Sequence, residues 1–85
     1  MNIEELKNLK IGDKVKLINQ VDINGYRCYP SLNIGEVFTI IKKPPLIWQP
    51  GFVFKSDRTN SEFIILPKYK NCWKVFGQTL RGLLC

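Results

Sequence analysis

The chain opens a strand in the same way twice. Ile11-Gly12-Asp13-Lys14-Val15-Lys16-Leu17-Ile18 is answered 23 residues later by Ile34-Gly35-Glu36-Val37-Phe38-Thr39-Ile40-Ile41. Each stretch starts with an apolar residue, a glycine and a carboxylate, then alternates. Val15 and Leu17 in the first, and Phe38 and Ile40 in the second, sit at the same offsets and fall on one face of a pleated strand. Glycine supplies the positive φ that swings a chain into a strand, and Gly-Asp or Gly-Glu is a turn dipeptide. An internal duplication and ordinary turn–strand grammar both account for the likeness. On either account the chain enters strands at two defined places.

The remaining breakers divide the chain further. Asn2 and Glu5 have the spacing of a capping box, with Lys7 and Lys10 toward the far end. Ile3, Leu6 and Leu9 recur on one side, which predicts a short helix that must dock because about two turns cannot hold themselves in water. Strands are expected at Lys14 to Asn19, Glu36 to Lys42, Phe52 to Lys55, Glu62 to Leu66 and Cys72 to Phe76. Asn24-Gly25 predicts a type I′ hairpin inside the long connection 20–33. Pro44-Pro45 and Pro50-Gly51 break the chain after the second strand, and Pro67 stops the fourth, ahead of a short helical turn at Lys68-Tyr69-Lys70-Asn71. Val15, Leu17, Phe38, Ile40, Phe54 and Trp73 are the expected interior. Glu62-Phe63-Ile64-Ile65-Leu66 is apolar on both faces, so the N-terminal helix is expected to cover its second face. The expected organisation is one domain: a capping helix over 1–9, a small β-barrel over 10–76 and a tail over 77–85.

Eighty-five residues bury only roughly 60–65% of their unfolded surface, so the core is small. No apolar run is long enough to span a membrane, and Glu4 and Glu5 stand where a signal peptide would be basic. Cys28, Cys72 and Cys85 are dispersed and odd in number, and there is no histidine. That set cannot build a Cys/His zinc site, and it suits a reducing cytoplasm, with Cys28 and Cys72 as small apolar filler. The commonest general base is missing, and no nucleophile elbow or phosphate-cradling loop is present. Asp13 and Glu36 stand in strand-opening turns, where carboxylates accept local backbone hydrogen bonds. A binding protein without catalysis, metal or cofactor is therefore expected. Net charge is +6; residues 1–41 hold five bases and five acids, while 42–85 hold eight bases and only Asp57 and Glu62. The excess lies wholly in the second half.

Five short strands, a long first connection, a broken second one, a third hairpin and a helical turn before the last strand resemble the Src-homology-3-like small β-barrel, an all-β fold. Leu32 to Ile40 looks like that family's second strand, and Pro67-Lys68-Tyr69 is similar to its proline and tyrosine at the short turn. Gly35-Glu36-Val37 also resembles the KOW type of barrel found in ribosome- and polymerase-associated proteins. Single barrels rich in Asn and Lys look like those of bacteria and their phages. The paired tyrosines of the peptide-binding members are not matched, so the resemblance does not extend to proline-rich peptides.

Two partners are consistent with these features. A nucleic acid would be met by Lys42, Lys43, Lys55, Arg58, Lys68, Lys70 and Lys74 on phosphates, with Trp48 and Tyr69 as stacking rings. A protein partner, for instance a host component engaged by a phage-encoded chain, would be met by Tyr26, Tyr29, Leu46, Ile47 and Trp48. A contiguous apolar loop flanked by prolines suggests an interface, and aromatic side chains anchor hot spots.

Overall fold

In a computed structural model, which describes residues 1–46 and 51–77, the chain forms one five-stranded antiparallel sheet with little helix. The elements are α1 (Ile3–Asn8), β1 (Lys14–Leu17), β2 (Val37–Lys42), β3 (Phe52–Ser56), β4 (Glu62–Ile65), a 3-10 helix (Pro67–Cys72) and β5 (Trp73–Gly77). Strands are ordered β4-β3-β2-β1-β5, so the first strand lies between the second and the last.

Both turn glycines take the conformation their position requires, with φ of 97° at Gly12 and 94° at Gly35. Each N–H then reaches the neighbouring strand: Gly12 donates to the Ile40 carbonyl at 2.8 Å and Gly35 to the Leu17 carbonyl at 2.7 Å. Alternation in β1, β2 and β3 turns every second side chain inward. Val15, Leu17, Phe38, Ile40, Phe54 and Trp73 are all fully buried, as the spacing predicts, and Phe52, Leu32 and Ile65 join them. Trp73 is the hub of this core. It meets Phe38 and Phe54 edge to face at 5.1 Å each, and Tyr29 at 5.4 Å. Such pairs contribute about 0.5–1.5 kcal/mol beyond their buried area.

Helix α1 carries the expected capping box, with the Asn2 side chain accepting from Glu5 N and the Glu5 carboxylate from Asn2 N. Its docking differs from expectation. Leu6 and Leu9 are buried but Ile3 is 43% exposed. The helix packs against the 3-10 helix, and the Met1 amino group donates to the Lys70 and Trp73 carbonyls. It therefore docks on the segment that leads into β5 rather than on the outer face of β4, where Ile64 stays 67% exposed.

Two local expectations are also corrected. The hairpin at Asn24-Gly25 exists, closed by a bridge between Val21 and Arg27, but Asn24 has no positive φ as a type I′ turn demands. Asp22 shapes the turn instead. Its carboxylate accepts from the N–H groups of Asn24 and Tyr26, its carbonyl accepts from Gly25, and Gly25 alone is left-handed at φ 83°. This is a three-residue loop ending in a glycine bulge. Cys28 and Cys72 are buried as expected, but as a disulfide rather than as separate filler. The fold presses the middle of connection 20–33 against the end of the 3-10 helix, which spacing along the chain does not reveal. The bond is at odds with the reducing compartment expected from cysteine spacing.

Candidate nucleic-acid interface

The sheet's outer face is built from the residues that alternation sends away from the core. Lys14 pairs with Thr39, Thr39 with Lys55 and Lys55 with Glu62, so one row crosses four strands. In the next row Lys16 lies opposite both Val37 on β2 and Lys74 on β5. Phe76, two residues beyond Lys74 and the extra residue at a register shift in the β1–β5 pair, is 55% exposed. The Lys16 ammonium lies 4.7 Å from the centre of the Phe76 ring.

Charge is balanced on one side of this face and unbalanced on the other. Toward β3, Lys14 donates to Thr39 Oγ1 at 2.8 Å and to Asp57 Oδ2 at 2.7 Å, while Thr39 donates to Asp57 Oδ1 at 2.6 Å. These bonds, Lys14 first, hold the Asp57 carboxyl below the ordinary carboxylate range. Arg58 donates through Nε and a terminal nitrogen to Glu36 Oε1 at 3.1 and 2.8 Å. The Glu36 carboxylate is thus held by a side chain 22 residues away rather than by its own turn; Asp13 does accept locally, from Lys10 N at 2.8 Å. Glu36, Asp57 and Arg58 line an open groove of about 420 Å³ with Asn33, Gly35 and Val37. Toward β5 there is no such compensation. Neither β1 nor β5 contains an acidic residue, and neither Lys16 nor Lys74 has a carboxylate at ion-pair distance among the described residues.

The second-half cations are spread over several surfaces. Lys55 and Lys74 lie on the outer face described, and Arg58 lies at its border in the ion pair with Glu36. Lys43 is turned to the helix, donating to the carbonyls of Lys7 and Leu9 at 2.6 and 2.8 Å, where a cation satisfies the helix's last acceptors. Lys68 covers the Tyr69 ring at 4.9 Å, and Tyr69 itself packs on the core against Tyr29. Lys42 is exposed at the end of β2, and Lys70 is half-buried in the 3-10 helix. Trp48 and Ile47 lie outside the described residues.

Of the other aromatic candidates, Tyr26 is 66% exposed at the hairpin, whereas Tyr29 turns inward and Leu46 is 43% exposed elsewhere. Lys14, Lys16 and Phe76 were not singled out by sequence. The signal was present in the alternation of Lys14-x-Lys16 and Lys74-x-Phe76, but it acquires meaning only when β1 and β5 are known to be neighbours. Among the described residues no group of His, Cys, Asp and Glu could hold a metal ion. Set against known proteins, the chain matches no protein-family model, no curated protein and no solved structure.

Proposed function

We propose that this chain is a non-enzymatic binding protein, a small barrel of the Src-homology-3-like, KOW-like kind, that contacts nucleic acid through the outer face of β1 and β5. The observation that carries the reading is the direct opposition of Lys16 and Lys74. Like charges directly opposite on adjacent strands destabilise a sheet. A phosphate placed between them turns that repulsion into attraction. The strand order, with β1 between β2 and β5, is consistent with the resemblance.

The test is binding to short oligonucleotides across a salt series. With about two phosphates neutralised by Lys16 and Lys74, the log–log slope is about −1.4 on single strands and about −1.8 on B-form duplex. The double substitution Lys16→Glu, Lys74→Glu abolishes binding to all sequences alike, because phosphate contacts carry no base information. Lys68→Glu, on another surface, leaves it nearly unchanged. Absence of binding at low salt overturns the reading.

A second reading is favoured by the hairpin, where Ile23 is 83% exposed beside Tyr26 at 66%. An apolar residue and a tyrosine at a rigid turn suit a protein partner, for instance a host component. That reading predicts loss of a partner on Tyr26→Ala and no effect of the Lys16 and Lys74 changes.

A further inference from the structure

Resting on the reading above, we infer that the ligand of the β1–β5 face is a single strand, with an unpaired base stacked on Phe76 and its flanking phosphates held by Lys16 and Lys74. An exposed phenylalanine alone means little, since single apolar residues are common on protein surfaces. Its surroundings supply the argument.

Lys74 and Phe76 are both exposed on β5, and Phe76 is the extra residue where the β1–β5 register shifts between Lys14 and Val15, so its ring is placed by its contact with Lys16 rather than by simple alternation. Lys16 comes in from β1, opposite Lys74 in register, and already rests its ammonium over the Phe76 ring. The three therefore form one platform, an aromatic ring with the Lys16 ammonium over it and Lys74 on the same strand, and a base that stacks on the covered face displaces that ammonium toward its own flanking phosphate. Bases in a duplex present their flat faces to each other and leave none for a ring on a sheet surface. An unpaired base has such a face, and stacking on it is sequence-tolerant. Phenylalanine has no hydrogen-bonding group, so this position reads no base identity.

The surrounding charge points the same way. The Lys14, Thr39 and Asp57 network and the Arg58–Glu36 pair place carboxylates at Lys14 and toward β3, while the strip formed by Lys16, Lys74 and Phe76 has no carboxylate at ion-pair distance among the described residues. A polyanion is guided along that strip and away from the acidic side.

The experiment measures fluorescence anisotropy of the whole chain with a labelled homopyrimidine single strand and with a labelled hairpin duplex of equal nucleotide number, at two salt concentrations. The variants are Phe76→Ala, Phe76→Leu, Phe76→Trp and the double substitution Lys16→Glu, Lys74→Glu, each checked for fold by circular dichroism. The expected result is about a tenfold loss on the single strand for Phe76→Ala and Phe76→Leu. Phe76→Trp retains the affinity, and duplex binding changes by less than about twofold for all three ring variants. Single-strand affinity that does not respond to Phe76→Leu overturns the inference. If the duplex still binds and depends on Lys16 and Lys74, the broader nucleic-acid reading stands without it. If neither oligonucleotide binds, both fall together.

Discussion

Val15 and Phe38 stand directly opposite each other in the β1–β2 pair, and the hydrogen bonds around them repeat in mirrored partners. Leu17 N donates to Glu36 O at 3.0 Å, and Ile40 N to Asp13 O at 2.9 Å. Asp13 N donates to Lys10 O at 2.9 Å, and Glu36 N to Asn33 O at 3.1 Å. With the two glycine bonds these make three pairs, each related by the offset that separates the two similar stretches of sequence. The likeness seen along the chain is thus a local two-fold relationship in space. Each turn–strand unit closes the end of the other.

Gly35 lies at the hinge of one unit, at φ 94° with open space where a side chain would project. Gly35→Ala meets no clash, so its whole effect is the left-handed backbone, about 1–2 kcal/mol. A thermal melt is expected to fall by roughly 4–16 °C, from the usual shift per kcal/mol in a domain of this size. An unchanged melting temperature would mean the turn relaxes to negative φ without loss.

Phe38 is fully buried and meets both Trp73 and Phe63 edge to face. Phe38→Ala is expected to cost about 3–5 kcal/mol. That is a large share of a small domain's stability, so urea unfolding should shift to much lower midpoints or be lost. Ile64→Ala, on the exposed outer face, serves as the control and should move the midpoint little.

Tyr29 ties connection 20–33 to the end of β4, its hydroxyl accepting the Leu66 N–H at 3.1 Å. Burial, the largest influence, raises its pKa above the ordinary phenol value, although the Leu66 bond and a contact with the buried Trp73 indole oppose the shift. A raised pKa on an acid favours the neutral form in the folded state. Its contribution to stability is therefore complete below about pH 10 and declines as pH rises beyond it, where the unfolded chain ionises first. Tyr29→Phe should flatten this alkaline decline in a urea-versus-pH series while lowering stability at neutral pH through the lost hydrogen bond.

Asp57 acts with the opposite sign. Its carboxyl is held low by Lys14 and Thr39, so its contribution is present above about pH 4 and is lost as pH falls through its lowered folded value. The group is exposed, so the effect is small and salt-sensitive. Asp57→Asn should reduce the acid-side slope of stability, and added salt should shrink the difference between the two proteins.

The Cys28–Cys72 bond closes a loop of 44 residues. By chain entropy such a closure contributes about 4 kcal/mol. A reductant should lower the urea midpoint of the native chain and leave that of the Cys28→Ala, Cys72→Ala double variant where it is. Equal midpoints with and without reductant would show that the thiol pair is not bonded in solution.

Much of this fold is legible in the sequence. The glycines before β1 and β2, the alternation that buries Val15, Leu17, Phe38 and Ile40, and the Asn2–Glu5 box all act within a few residues. Their physical causes are steric and local, so the sequence states them directly. The candidate site was legible only in part. Lys55 and Lys74 were identified as candidates, yet Lys43 serves a helix end and Tyr69 serves the core. What the tertiary structure decided was adjacency. Placing β1 beside both β2 and β5 brings Lys16 opposite Lys74, sets Lys16 over Phe76 and joins Cys28 to Cys72. Those contacts link residues 44 to 60 positions apart, and no local pattern encodes them, because pairing between distant strands depends on the packing of the whole core.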